Sequence, residues 1–181
     1  MIVVDTNILA HLFIENERTP IAQAVHIKDR HWIAPALWRH EFLNILAMHI
    51  RFKGVRLADA TRVWEEAIVM MNDAEYYPDA SQVLRMTEQW TLSAYDAQFV
   101  ALAEHMDVAC VTEDKELLRK CPDIAVRMEQ FVEGCPPMVR EKKAKYSTKT
   151  KVQPVPRVKP YKGKFPLTDE FISAAKREGR A

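Results

Sequence analysis

Four acidic residues stand where a carboxylate could do chemistry rather than simply face water: Asp5, Glu41, Asp96 and Asp114. Asp5 ends a short apolar run, and Asp114 follows a second apolar run after a two-residue spacer. Glu41 and Asp96 lie among apolar residues in segments with helical spacing, where a carboxylate is costly unless it is paired or binds a metal. Together these acids predict a convergent cluster of carboxylates.

The type of ligand indicates which metal such a cluster would bind. Carboxylate oxygens favour hard cations, so we expect Mg²⁺ or Mn²⁺. Such an ion can lower the pKa of a bound water molecule and stabilise an in-line phosphoryl displacement. The sequence contains no Walker A motif, no G-x-G-x-x-G, no H-E-x-x-H and no C-x-x-C. A nucleotide switch, a dinucleotide dehydrogenase and a zinc site are therefore disfavoured.

Each acid also has an ordinary structural explanation, which the sequence leaves open. Asp5 could be only a helix cap, and Asp114 only an acid in the first turn of a helix. Asp96 could cap its helix locally or pair with a basic neighbour. Glu41 could lie on a solvated face, paired with Lys or Arg. The functional interpretation therefore depends on the four acids together.

Short apolar runs alternate with longer helical segments, and these elements must position the acids. Strand-like runs are predicted at 1–5, 32–34, 76–77, 108–111 and 125–128. Helices are predicted after Thr6-Asn7, after Thr19-Pro20, and over 36–52, 57–71, 79–90, 93–106, 114–120 and 168–177. This alternation is typical of an α/β fold with a mostly parallel sheet. Asp5 and Asp114 would then lie at the same edge of the sheet, beyond the carboxyl ends of the strands.

The charges of the chain divide it into two parts. Residues 1–137 hold 13 Lys/Arg and 21 Asp/Glu, whereas residues 138–181 hold 13 Lys/Arg and 4 Asp/Glu. We predict a folded domain over residues 1–135 and a basic, Pro-rich extension over 136–181 that ends in a short helix. The 3 cysteines favour a reducing compartment, because their odd number suits no disulfide framework. The N-terminus lacks the features of a secretory signal, and no apolar run approaches the ~20 residues of a membrane span, so a cytoplasmic protein is expected.

The segments around the four acids resemble the motifs of the PIN-domain family. The resemblance is carried by Ile2-Val3-Val4-Asp5-Thr6-Asn7-Ile8-Leu9, by Glu41 within 38–44, by Tyr95-Asp96-Ala97-Gln98-Phe99-Val100-Ala101-Leu102-Ala103 and by Val111-Thr112-Glu113-Asp114. The first and third motifs are specific together, whereas the second is weak alone. The resemblance covers about residues 1–130.

This resemblance implies a three-layer α/β/α sandwich and Mg²⁺- or Mn²⁺-dependent cleavage of RNA phosphodiesters. Asp5 and Asp96 would be the principal metal ligands, and Glu41 and Asp114 would complete the cluster. Three polar side chains would orient these carboxylates by hydrogen bonds: Thr6, Asn7 and Thr112. Two alternatives stay open: a PIN-like module that binds RNA or a protein without cutting, and a metal phosphatase or DNA-directed nuclease that uses the same cluster.

Many bacterial members whose length is about that of this chain's body are toxins of the VapC type, so the resemblance also implies a small antitoxin protein as a partner. A homodimer is expected, because the apolar helices over 37–71 exceed what one core can hide. A compact toxin would end near residue 135, yet this chain continues for more than 40 residues. That extension could bind the RNA backbone, or it could pack on the body and regulate access to the acids.

Overall fold

The computed structural model describes residues 1–134 and 168–178, in which strands alternate with helices. The strands are β1 (Ile2–Val4), β2 (Trp32–Pro35), β3 (Glu75–Tyr76), β4 (Cys110–Val111) and β5 (Ala125–Val126). The helices are α1 (Thr6–Phe13), α2 (Thr19–Lys28), α3 (Trp38–Lys53), α4 (Leu57–Met70), α5 (Ala80–Trp90), α6 (Ala94–Met106), α7 (Lys115–Lys120), α8 (Met128–Glu133) and α9 (Asp169–Glu178).

The strands form one parallel sheet in the order β3-β2-β1-β4-β5. Val3 in β1 pairs with Ile33 of β2 on one side and with Cys110 of β4 on the other. Every residue of β1 is buried, as expected for a central strand that helices cover on both faces. The predicted α/β/α sandwich with a parallel sheet is confirmed. Within the described ranges, no helix has the length and apolar character needed to cross a membrane.

Two hydrophobic clusters hold the helices on the sheet. The larger one joins the sheet to α1, α3 and α4, and its biggest fully buried side chains include Trp38, Phe13 and Phe42. The rings of Phe13 and Phe42 meet edge to face, with 6.2 Å between their centroids. The smaller cluster lies where α5 and α6 pack beside α7, and it includes Met86 and Leu117. This packing fixes the helices whose first turns carry the acids.

Several helices begin or end at the capping residues that the sequence predicted. Gly54 ends α3 in the left-handed conformation, with φ of 66°. Asp79 and Ser93 cap α5 and α6 by accepting hydrogen bonds from backbone N–H groups of the first turn. Such caps satisfy donors that have no partner within the helix.

Several details differ from prediction. Strands β4 and β5 have two residues each and are shorter than the predicted runs 108–111 and 125–128. Thr6 and Asn7 lie inside α1, and Asp5 takes the cap position. The third strand is Glu75–Tyr76 rather than 76–77, because its pairing with β2 ends at Pro35 and Tyr76. Helix α8 was not predicted, since its six residues are too few for helical periodicity to show.

The C-terminal helix α9 lies against α1 and α3. Thr168 precedes it, and its Oγ1 accepts a hydrogen bond from the backbone N of Phe171 at 3.2 Å. Ile172 is buried in the main core. The predicted terminal helix is thus confirmed. The extended, Pro-rich strap predicted before it lies outside the described residues, and the domain boundary after residue 135 stays a prediction.

Candidate active site

The sheet reverses its winding at β1, and this reversal opens a crevice at the carboxyl ends of β1 and β4. The chain runs outward from β1 to β2 and β3, and then returns to β4 on the other side of β1. Ligands of open α/β sheets bind at such switch points. Asp5 directly follows β1 and Thr112 directly follows β4, so both lie at this crevice.

Asp5 is fully buried, and its carboxylate is bonded to Thr112 and Asn7. Its Oδ2 accepts hydrogen bonds from Thr112 Oγ1 at 2.7 Å and from Asn7 Nδ2 at 2.8 Å. Asn7 Nδ2 also reaches Thr112 Oγ1 at 3.2 Å, and Asn7 Oδ1 accepts from the backbone N of Glu113 at 3.3 Å. These bonds tie the first turn of α1 to the segment after β4, and they set the orientation of the Asp5 carboxylate.

Glu41 enters the same region from the first turn of α3. Thr6 Oγ1 donates a hydrogen bond to Glu41 Oε2 at 2.6 Å. Glu41 is only 4% exposed, so the alternative of a solvated helix face is wrong for this residue. Because Thr6 follows Asp5 in the chain, the bond brings Glu41 to the turn that carries the buried aspartate.

Asp96 lies in the first turn of α6. That helix leads into the parallel strand β4, so its N-terminus lies at the carboxyl edge of the sheet. Asp96 Oδ2 accepts a hydrogen bond from Ser93 Oγ at 2.7 Å, and the backbone N of Asp96 donates to Ser93 Oγ at 3.1 Å. Ser93 is therefore the cap of α6, and the Asp96 carboxylate is bonded locally to that capping hydroxyl.

Asp114 also has a local role, as the cap of α7. Its Oδ1 accepts hydrogen bonds from the backbone N of Glu116 at 2.8 Å and of Leu117 at 3.1 Å. The backbone N of Asp114 donates to Thr112 Oγ1 at 3.0 Å. The Thr112 hydroxyl therefore connects the backbone of Asp114 with the carboxylate of Asp5.

The structure brings the four predicted acids to one edge of the sheet, but it does not bring three of them into one cluster. Across residues 1–134 and 168–178, no three His, Cys, Asp or Glu side chains are placed so that they could hold a metal ion. The residue types nevertheless fit a hard divalent cation, because the crevice offers carboxylate, amide and hydroxyl oxygens and includes a fully buried carboxylate. Binding of such an ion through three or more of these acids would require their side chains to come closer together than they are here.

Glu113 has a position that the sequence interpretation missed, since it was taken as a spacer within the fourth motif. Its side chain is 2% exposed, and its Oε2 lies 2.6 Å from Arg18 Nη2 and 3.6 Å from Arg127 Nη1. Its Oε1 accepts a hydrogen bond from the backbone N of Met128 at 3.1 Å. Burial raises the pKa of Glu113, while the Met128 N–H group and Arg18 act in the opposite direction. Glu113 thereby anchors the site segment to α8 and to the start of α2.

Comparison with known proteins decides the family. A family model of the PIN domain matches residues 2–121. The chain belongs to the PIN domain family. This PIN domain is 28% identical over 127 residues to Ribonuclease VapC3 from Pyrobaculum aerophilum, and the match covers 67% of this chain and 95% of that protein. It is also similar to the crystal structure of PAE2754 from Pyrobaculum aerophilum, with a TM-score of 0.58 and 26% identity over 72% of this chain and 92% of that one. The family resemblance of the motifs is confirmed.

Proposed function

We propose that this PIN domain is a divalent-metal-dependent ribonuclease that hydrolyses RNA phosphodiesters. The observation that carries the proposal is the fully buried Asp5 carboxylate, held by Asn7 and Thr112 at the switch point of the sheet. A carboxylate that is buried and held in one orientation at this edge is suited to a hard divalent cation, which prefers oxygen ligands. The name of the relative, Ribonuclease VapC3, supports RNA as the substrate.

The four acids would have different roles in binding the metal ion. Asp5 and Asp96 would be the principal ligands of Mg²⁺ or Mn²⁺, and Glu41 and Asp114 would complete the set. The ion, when bound, would supply an activated water molecule and stabilise charge at the phosphoryl group. Thr6, Asn7 and Thr112 would keep the carboxylates oriented, as their present hydrogen bonds to Asp5 and Glu41 do.

The test is cleavage of a structured RNA with and without Mn²⁺ by wild type and by Asp5→Asn. We expect cleavage only with the metal, and a loss of at least about 100-fold in Asp5→Asn, since even outer-shell partners of a metal are worth about 10–100-fold. Asp107→Asn is the matched control. Asp107 is an exposed aspartate in the left-handed conformation at the other end of α6, which Asn also adopts. Equal cleavage by Asp5→Asn and Asp107→Asn would contradict the site assignment.

A second candidate function has one observation in its favour. Asp114 caps α7, Asp96 is bonded locally to the Ser93 hydroxyl, and no three acids converge within the described residues. A module that binds RNA or a protein without cutting would suit that arrangement. In the same assay, RNA binding without Mn²⁺-dependent cleavage would select this second function. Cleavage of single-stranded DNA or of a simple phosphoester instead of RNA would select a different nuclease or a phosphatase.

We also propose that the protein is the toxin of a toxin–antitoxin pair, with a small protein as its inhibitor. The support is its likeness to a relative named as a VapC ribonuclease. Expression in a bacterial host provides the test: wild type should arrest growth, and Asp5→Asn should not. Growth at the same rate with both would contradict the toxin role.

A further inference from the structure

Helix α9 is held by specific contacts to α1 and α3. Ile172 is 1% exposed, and the ring of Phe171 meets His49 edge-on at a centroid distance of 4.6 Å. Lys53 Nζ lies 5.4 Å from the centroid of the Phe171 ring. A ten-residue helix is too short to be stable alone in water, so α9 depends on this docking.

The first residue of α9 places a carboxylate against a buried histidine of α1. Asp169 Oδ1 lies 2.9 Å from His11 Nε2, and the His11 side chain is completely buried. His11 Nδ1 lies 3.0 Å from Asn16 Oδ1, an oxygen whose position is set because it also accepts from the backbone N of Arg18 at 2.8 Å. Since Nδ1 faces Asn16 Oδ1, Nε2 is the ring nitrogen directed at the Asp169 carboxylate. This histidine position therefore suits an anion.

Two basic residues from other elements, Arg18 and Lys115, also affect the pKa of the Asp169 carboxylate. The hydrogen bond from His11 holds the pKa of Asp169 below its ordinary value, and the charges of His11, Arg18 and Lys115 act in the same direction. Lys115 directly follows Asp114, and Arg18 pairs with the buried acid Glu113 of the same motif. We call the position at His11 Nε2 that the Asp169 carboxylate occupies the anion seat. It adjoins the candidate active site, and the Asp169 side chain that fills it is one-third exposed.

We propose that His11, Arg18 and Lys115 form a binding site for a phosphate of the RNA backbone, and that Asp169 occupies this site when α9 is docked. The inference rests on the proposed function, because it takes RNA as the ligand. A phosphate oxygen can accept the same charge-assisted hydrogen bonds as a carboxylate oxygen. Asp169 already lies on His11 Nε2, and Arg18 is already shared with Glu113 and Glu129. RNA and Asp169 therefore compete, and docked α9 is an internal inhibitor of RNA binding.

The test compares two full-length variants that each remove one negative charge from the first turn of α9. Asp169→Asn empties the seat of its carboxylate, whereas Glu170→Gln alters an exposed neighbour and is the control. Binding of a labelled single-stranded RNA is followed by fluorescence anisotropy in EDTA, so that metal-dependent cleavage does not interfere. We expect Asp169→Asn to bind at least about fivefold more tightly than Glu170→Gln, the lower end of typical coupling between two sites.

The salt dependence shows whether a phosphate fills the seat. One additional phosphate contact should steepen the slope of log K against log salt by about 0.7 in Asp169→Asn. Adding Lys115→Gln to Asp169→Asn should remove the gain in affinity and the additional slope. Ile172→Asp, which expels α9 without changing Asp169, should also tighten RNA binding, so the inference does not depend on one variant.

Equal affinity of Asp169→Asn and Glu170→Gln, including no binding by either, would overturn the inference. Tighter binding that Lys115→Gln leaves intact would overturn it as well, because the gain would then come from net charge alone. The proposed ribonuclease activity fails in a different way, through loss of Mn²⁺-dependent cleavage in wild type. Tighter RNA binding by Asp169→Asn in a chain that does not cleave would uphold the phosphate seat and reject catalysis.

Discussion

At the scale of single residues, the Thr112 hydroxyl connects three separate parts of the site. It donates to Asp5 Oδ2, and it accepts from Asn7 Nδ2 and from the backbone N of Asp114. The residue is completely buried, so water cannot replace these partners. Loss of the hydroxyl would leave several buried polar groups without one of their partners, which costs about 1–3 kcal/mol for each group left unsatisfied.

Thr112→Val tests this role, because valine has nearly the shape of threonine but no hydroxyl. We expect a decrease of about 1–3 kcal/mol in the free energy of unfolding. We also expect about 10–100-fold slower RNA cleavage, as for a lost outer-shell partner of a metal ligand. Urea denaturation and initial cleavage rates measure the two effects. Thr112→Ser retains the hydroxyl and should recover most of both, and a serine variant as impaired as the valine variant would show that packing alone matters.

At the scale of the elements, the contact between α3 and α9 buries a histidine that favours its neutral form. His49 is 4% exposed, and its Nδ1 lies 2.8 Å from the carbonyl oxygen of Ile45. Burial lowers the pKa of His49, the Ile45 carbonyl raises it, and the charge of Lys53 lowers it further. Phe171 of α9 covers the ring edge-on. Docking of α9 is therefore coupled to the protonation of His49.

The pH dependence of stability follows from that direction. A histidine whose pKa is lowered in the folded state binds fewer protons there than in the unfolded chain, so stability rises with pH across the interval up to the ordinary value of 6.5. Unfolding free energies measured in urea at pH 5.5 and 7.5 should differ less in His49→Gln than in wild type. The exposed His31 supplies the control, His31→Gln, which should leave the difference unchanged. Some pH dependence of stability should remain in His49→Gln, because burial and the charge of Arg30 lower the pKa of His26 as well. An identical difference in wild type and His49→Gln would refute the lowered pKa of His49 in the folded protein.

At the scale of the whole molecule, the distribution of charge and the exposed apolar side chains both favour association with other molecules. The body over residues 1–137 is acidic and the remainder is basic, so the two parts attract each other and the basic part attracts polyanions. Large apolar side chains are exposed on or beside α3 and α4: Leu43, Phe52, Leu57 and Val69. Exposed apolar groups of this kind favour burial against a second copy. We therefore keep the homodimer as a prediction.

Light scattering coupled to gel filtration tests the dimer. Wild type should have the mass of two 20.9 kDa chains, and Leu57→Asp together with Val69→Asp should shift it to one. Leu84 is equally exposed but lies on α5, so Leu84→Asp should leave the mass unchanged. A single-chain mass for wild type, or dissociation by Leu84→Asp, would contradict an interface on α3 and α4.

Much of the architecture could be derived from sequence because its signals are local. Gly54, Asp79 and Ser93 mark helix ends through groups within a few residues. The strand-acid-helix order likewise places Asp5 at the switch point without knowledge of any distant contact. Strand β3 was displaced by one residue, since the limit of a two-residue strand depends on its pairing with β2.

The sequence by itself therefore determined the family, the parallel sheet and the edge at which the four acids lie. Only the tertiary structure decided how those acids are used by their neighbours: Asp96 and Asp114 within capping turns, Asp5 within the bonds of Asn7 and Thr112. The pair of His11 and Asp169 is likewise visible only there, because 158 positions separate the two residues. Periodicity and caps act over one or two helical turns, whereas contacts between distant residues depend on how complete helices pack.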